Sequence, residues 1–276
     1  MLPLSSLRFA AWAAVALLPA LAACGGTDAP FVYHNRNPGP SPLVTWPKPT
    51  GEQPVDATIR VLAGQVYDGG MKRFYGVDDM ATSGQEESQD AMFRLSDGAV
   101  LQNVIIGDPA ADGVHCYGSC TLRNVWWERV GEDAATFRGQ TGQDVMLIDT
   151  GGASGAVDKV FQNNGVGTMV IKNFYVEHFG KLYRSCGNCS RQAARTVVIE
   201  NVTALLDHDA ETLVGLNENY GDRAIFLGKS VFYTAAKPTW PVCQRYFGNS
   251  RGLEPKKTTK GPDQNCVYTD ATVEIR

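Results

Sequence analysis

Six charged side chains in the middle of the chain carry the chemistry this sequence could perform. Asp112 and the adjacent pair Glu132-Asp133 lie twenty residues apart. That gap is close to one repeat of a stacked β-coil, so the three carboxylates can share a face. A group of hard oxygen donors suits calcium, which takes several oxygens and tolerates irregular geometry. Brought together without a cation, the same carboxylates would repel and raise one another's pKa. Each acid taken singly reads as a solvated turn residue. The basic members are Lys159, Lys181 and Arg184. A lysine near a bound cation can lose its proton and act as a base. An arginine is a poor base and a good bidentate carboxylate binder. Gln162, three residues beyond Lys159, adds a hydrogen-bonding amide.

The elements that must position these groups are short β-branched runs separated by Gly, Asp and Asn. They are Thr58–Leu62, Val100–Ile106, Thr121–Trp127, Val145–Ile148, Thr168–Val176, Thr196–Val202, Ala224–Leu227 and Ser230–Tyr233. No long stretch carries a helical period. Inside the runs a small pattern recurs: apolar, any residue, Asn, apolar. It stands at Leu101–Val104, Leu122–Val125, Ile171–Phe174 and Ile199–Val202, with its Asn residues 21, 49 and 28 positions apart. The middle gap holds two coils, with Val145–Ile148 the unmarked one. A period in the twenties predicts a solenoid whose stacked strands share one core. The Asn sits where a turn needs a side chain able to bond the backbone and stack on the next coil. The expected fold is therefore all-β, a parallel β-helix. A β-sandwich is the alternative, and sandwiches lack such a repeated coil signature.

Longer motifs surround the charged residues. They are Asp112-Gly113-Val114-His115-Cys116, Asn124–Glu128 running into Val130–Thr136, Asp158–Gln162, Lys172–Glu177 and Gly180–Cys189. On these segments the stretch 98–203 resembles the pectate lyases of polysaccharide lyase family three, and 57–99 and 217–222 look similar to it. The resemblance implies a right-handed β-helix, dependence on Ca2+, and cleavage of polygalacturonate (pectate) by β-elimination to 4,5-unsaturated oligogalacturonides. It implies metal ligands Asp112, Glu132 and Asp133, with Lys159 as the base that takes the C5 proton. Lys181 and Arg184 would hold substrate carboxylate, Arg184 beside the scissile bond, and Gln162 would hydrogen-bond the substrate. A calcium ion about 7 Å from Lys159 would repel its ammonium by about 5 kcal/mol at an effective dielectric near 20, before the ligand carboxylates cancel much of this. A partly depressed lysine pKa and alkaline activity follow. Lys159→Ala is expected to abolish turnover while leaving folding and calcium binding nearly intact. Two other readings stay open. A β-helical polygalacturonate hydrolase would use Glu132 and Asp133 as its paired carboxylates. A non-catalytic surface lipoprotein would bind uronate polymers without cutting them.

Bland readings suit several neighbours. Trp126 and Trp127 read as core and rim aromatics, and His115 as a packing or turn histidine. Glu86, Glu87 and Asp90, and the group Asp207, Asp209 and Glu211, read as solvated loops. Asn217, Asn219, Tyr220 and Asp222 receive no chemistry.

The ends of the chain speak to compartment. An apolar run from Phe9 to Ala23, preceded by Arg8, suits a signal peptide better than a membrane span. It ends at Leu21-Ala22-Ala23-Cys24, which resembles a bacterial lipoprotein processing site with Cys24 lipidated. The expected organisation is a signal peptide over 1–23, a Pro-rich tether over 24–55 and the β-helix over 56–276. Seven of the fourteen prolines fall between Pro30 and Pro54, too dense for a packed core. Without Cys24 six cysteines remain, an even number suited to an oxidising compartment. Spacing suggests the bridges Cys116–Cys120, Cys186–Cys189 and Cys243–Cys266, among fifteen possible connectivities. A zinc site from the two close pairs is the alternative. The formal net charge of −4 leaves no basic field for nucleic acid. The expectation is a monomeric secreted protein, cell-surface or outer-membrane-anchored, touching membrane only through its N-terminal lipid.

Overall fold

The structure is a computed structural model that describes residues 45–86, 88–206, 210–234 and 241–276. The expected signal peptide, Cys24 and most of the Pro-rich segment lie outside the described residues. Asn103, Asn124, Asn173 and Asn201 all adopt left-handed backbone, with φ between 52° and 55°. Asn tolerates this region because its short amide bonds locally. Here the amides also join coil to coil. Asn124 Nδ2 donates to Asn103 Oδ1 at 2.9 Å, Asn103 Nδ2 to Asp68 Oδ2 at 3.0 Å, and Asn201 Nδ2 to Asn173 Oδ1 at 3.3 Å. The unmarked coil is present as expected. Its turn residue is Thr150, φ 69°, and Asp149 accepts from Asn173 Nδ2 at 3.1 Å.

Each of these turns joins two of three parallel faces. The first face stacks Ala99–Ile106, Cys120–Trp127, Val145–Asn163, Gly167–Ser185 and Arg195–Glu200 through their N-terminal residues. The same long strands bend at the turn and pair again beyond it, as in Val104↔Val125↔Gly151↔Phe174. The third face stacks Ile59–Val61, Phe93–Leu95, Val114–Tyr117 and Ala135–Arg138. It continues through the ends of Val145–Asn163 and Gly167–Ser185 to Thr212–Asn217 and Cys243–Phe247. Pairing is parallel throughout except for Lys256–Lys260, which closes antiparallel on Cys243–Phe247. The architecture is a right-handed parallel β-helix, and no α-helix occurs among the described residues.

One continuous core fills the coil interior. Phe93, Val114, Ala135, Phe161, Tyr183 and Val214 stack in register down the third face, each fully buried. Trp127 packs edge-on against Phe161, 6.0 Å between centroids. Trp126 sits at the rim against Trp46 at 5.3 Å. The coil begins earlier than residue 56. Glu52–Val55 pairs with Arg73–Gly76, so the end of the Pro-rich segment is the first strand of the solenoid. Pro54 is tolerated there because an edge strand leaves its missing N–H without a required partner.

The three cysteine pairs are the bridges that proximity suggested, with Cα separations of 6.1, 5.7 and 6.4 Å. Cys116–Cys120 and Cys243–Cys266 each tie the third face to the first. With every sulfur bonded, the zinc alternative falls.

Candidate functional site

The turns leading into the third face deliver the acids. Residues 107–113 carry Asp112 and residues 128–134 carry Glu132 and Asp133. Glycine lets these turns nest. A Cβ on Gly131 would lie 1.9 Å from Ala111 O, and one on Gly113, at φ 47°, 2.2 Å from Ala134 O. Because Glu132 and Asp133 sit in a turn rather than a strand, both side chains converge instead of alternating. Asp112, Glu132 and Asp133 are all buried, and each offers an oxygen within 4.8 Å of the others.

This group fits a hard cation. The donors are all carboxylate oxygens, and buried Asp112 Oδ1 makes no hydrogen bond. Asp133 Oδ1 has Lys159 Nζ at 3.3 Å but no aligned hydrogen bond. Burial pushes the Asp133 carboxyl well above the usual carboxylate range, with the charges of Glu132 and Asp112 adding to it against Lys159. Burial raises Glu132 as well. Two buried acids that resist ionisation, beside a third with an orphaned oxygen, are stabilised by a divalent ion on oxygen ligands. His115 braces the group, with Nε2 2.7 Å from Asp112 Oδ2, and Thr136 Oγ1 donates to Asp133 Oδ2 at 3.1 Å.

Lys159 lies against the same acids. Its Nζ is 3.1 Å from Glu132 Oε1, 3.3 Å from Asp133 Oδ1 and 3.2 Å from Asp158 Oδ2. Burial alone would lower its pKa, but the charges of Asp133, Glu132 and Asp158 outweigh burial and raise it. Sequence reasoning expected depression by a metal. The side chains by themselves do the reverse, because three carboxylates crowd one ammonium. Lys159 is thus placed as the counterion of the acid group, which argues against its expected indifference to folding and metal binding.

Asp158 was not foreseen, although it stands in the quoted Asp158-Lys159 motif. Besides Lys159 it takes Lys181 Nζ on Oδ1 at 2.8 Å. Burial works to raise its carboxyl, yet the hydrogen bond from Lys181 and the charge of Lys159 carry it below its ordinary value. Lys181 also meets Glu211 at 3.2 Å, so Glu211 belongs to the site; Asp207 and Asp209 lie outside the described residues. Arg184 comes from the same strand as Lys181, facing Gln162 in register. Its guanidinium stacks 4.0 Å from the Tyr246 ring centroid, donates to Asn217 Oδ1 at 3.0 Å, and bonds the Ser185 carbonyl. Burial pulls its pKa down. Tyr246, which the sequence reading did not single out, and Asn217, to which it gave no chemistry, set the plane of this group.

A groove of about 420 Å³ runs over these residues, lined by Asp158, Lys159, Gln162, Lys181, Arg184 and Tyr246 among others. Gln162 Oε1 is buried there without a partner. Glu132 and Asp133 do not fit hydrolysis. Each places an oxygen within 4.8 Å of the other, and Lys159 Nζ lies against both. Retaining and inverting glycosidases hold their carboxyls roughly 5–5.5 Å and 6.5–9.5 Å apart across the substrate.

Known proteins resemble this chain in sequence and fold. The family model described as pectate lyase matches residues 43–252. A probable pectate lyase D from Neosartorya fischeri is 43% identical over 232 residues, covering 83% of this chain and 92% of that protein. Pectate lyase H from Emericella nidulans is 44% identical over 234 residues, covering 83% and 86%. Among solved structures, the catalytic domain of pectate lyase PelI from Erwinia chrysanthemi superposes with a TM-score of 0.66 at 31% identity. That match covers 82% of this chain and all of the domain. PelI in complex with tetragalacturonic acid matches at TM-score 0.64 and 30% identity, over 81% and 70% of the two chains. With sequence, coil architecture and charged groove in agreement, the chain belongs to the pectate lyase family and is an enzyme of that family.

Proposed function

We propose that this protein is a calcium-dependent lyase that cleaves polygalacturonate by β-elimination. The observation that carries the reading is Lys159, whose amine is shared between two acids of an oxygen-only cation group and the floor of an anion-binding groove. Asp112, Glu132 and Asp133 would hold the ion. Calcium, when bound there, supplies positive charge that offsets these carboxylates and the carboxylate of a uronate beside them. Lys159 Nζ, relieved of its acid partners and neutral, accepts the C5 proton. The C5–H electron pair becomes the C4–C5 double bond, and the C4–O4 bond breaks with its pair leaving on the departing oxygen. Arg184, held flat by Tyr246 and Asn217, presents paired N–H donors to the carboxylate of the reacting sugar, where negative charge grows. Lys181, braced by Asp158 and Glu211, takes a neighbouring carboxylate, and Gln162 offers its unpartnered amide to a hydroxyl. That a related enzyme, PelI, was solved with tetragalacturonic acid supports a uronan as substrate.

The proposal includes export. Three disulfides suit an oxidising compartment, and no helix among the described residues is long and apolar enough to cross a membrane. The fungal relatives lend no support to the lipid anchor on Cys24, and it is not carried forward. The test is growth of ultraviolet absorbance on polygalacturonate, with calcium and again with chelator. New reducing ends without unsaturated ends would point to hydrolysis, and equal rates in chelator would refute the metal.

A further inference from the structure

Along each strand of the third face every second side chain points outward. Pairing aligns Arg94, His115, Thr136, Gln162 and Arg184 in one row along the solenoid. Two residues further along their strands, Tyr117 and Arg138 pair in a neighbouring row. The end of this face away from the reaction groove is therefore rich in arginine. The Arg94 guanidinium lies 4.3 Å from the Tyr117 ring centroid, and that of Arg138 lies 5.8 Å from the same ring. Beside them opens a hollow of about 780 Å³, lined by Tyr117, Arg138, Asn164, Arg191 and Arg195 among others, with no acidic side chain.

The charges here are placed differently from those of Arg73, Arg195 and Arg245. Arg73 meets Glu52 and Glu128, and Arg245 meets Asp263. Arg195 is spent on backbone carbonyls and Gln192. Arg138 Nε is buried and hydrogen-bonds nothing. Among the described residues no carboxylate lies within ion-pair distance of Arg94 or Arg138. Two guanidiniums held by one aromatic ring, one of them with an orphaned donor, in a chain of net charge −4, form a built receptor for an anion.

We propose that Arg94, Tyr117 and Arg138 form a distal subsite that binds a carboxylate-bearing sugar of the polymer without calcium. This rests on the reading of the groove as a uronan cleft. Arg138 is two strands from Arg184 and Arg94 is four, about 10 and 19 Å at the strand spacing. A 1,4-linked uronan advances by a little less than one strand spacing per sugar. The subsite thus engages sugars about two to four units from Arg184, and a trimer cut at the reaction centre does not reach Arg94.

Kinetics on trigalacturonate and octagalacturonate test this with Arg94→Gln, Arg138→Gln and the double variant. Both side chains lie outside the core, so the variants should keep the wild-type melting temperature. Each single change is expected to raise KM on the octamer about fivefold, as for a favourable half-exposed charge pair, and the double about twentyfold. Rates of Arg94→Gln on the trimer stay unchanged. Titration of octagalacturonate in chelator adds a readout that needs no turnover: wild type binds and the double variant does not. If no substrate yields unsaturated ends, the lyase reading fails while this binding difference still judges the subsite. A double variant equal to wild type on the octamer, in KM and in chelator binding, overturns the subsite. So does inorganic phosphate binding that the double variant loses while octamer affinity stands, since the hollow would then serve a small free anion.

Discussion

Replacing Lys159 by Ala separates the two jobs the structure gives this side chain. As a base it is expected to be worth 10²–10⁴ in rate, so kcat should fall at least 100-fold. As a counterion it faces Glu132, Asp133 and Asp158 at 3.1, 3.3 and 3.2 Å. Each pair amounts to about 5 kcal/mol of gross attraction at an effective dielectric near 20. Screening and relaxation remove most of this, but the ammonium still competes with a metal for Glu132 and Asp133. If a quarter of one pair survives, calcium binding to the alanine variant tightens about tenfold. In chelator the variant keeps buried carboxylates without their partner. Breaking a buried pair from one side costs about 3–5 kcal/mol, which lowers Tm by roughly 6–20 °C for a domain of this size. Calcium should then recover much of that loss. Lys159→Arg restores the charge and not the base, so it should regain stability in chelator and remain inactive. The assays are absorbance on polygalacturonate, calorimetric titration with calcium, and melting with and without chelator. Turnover within tenfold of wild type would remove Lys159 as the base. Unchanged calcium affinity together with unchanged melting in chelator would refute the shared-charge argument.

Calcium at 100 times its Kd should stabilise the wild type by about 2.7 kcal/mol, a rise of roughly 5–11 °C, and Asp133→Asn should abolish that shift. Asp133 and Glu132 have raised carboxyl pKa values in the folded protein. Above the unfolded value near 4 the unfolded chain therefore releases these protons first, and stability in chelator falls as pH rises toward the folded values. Wild type minus Asp133→Asn in a chelator melting series should show that falling slope; a flat difference would contradict the burial argument. Arg184→Lys keeps a cation but loses the stacked fork on Tyr246 and Asn217, so kcat should drop about 100-fold with Tm nearly unchanged. Asn124→Ala removes the 2.9 Å bond to Asn103 and puts alanine at φ 55°. A loss of about 1–3 kcal/mol is expected, and Asn124→Gly should lose less than alanine, both read by denaturant melting.

Much of this protein is written locally. The apolar-x-Asn-apolar repeat declares the solenoid because each coil needs a left-handed turn at the same place, and Asn supplies both that φ and the rung to the next coil. Close cysteine pairs declare their bridges because a span of three or four residues leaves few other partners within reach. Asp112, Glu132 and Asp133 could be grouped for a like reason, since a stacked coil turns a gap of twenty residues into one strand spacing, whereas Lys159, Lys181 and Arg184 were named through the family resemblance. What the sequence could not reveal is contact across coils of unequal length. His115 bracing Asp112, Asp158 joining Lys159 to Lys181, and Asn217 with Tyr246 flattening Arg184 all depend on how far each loop carries the chain before the next strand begins. So does the pairing of Arg94 and Arg138 around Tyr117. Coil lengths vary with their loops, so register cannot be counted along the chain. It is decided when the shared apolar interior closes and aligns Phe93, Val114, Ala135, Phe161 and Tyr183 in one column.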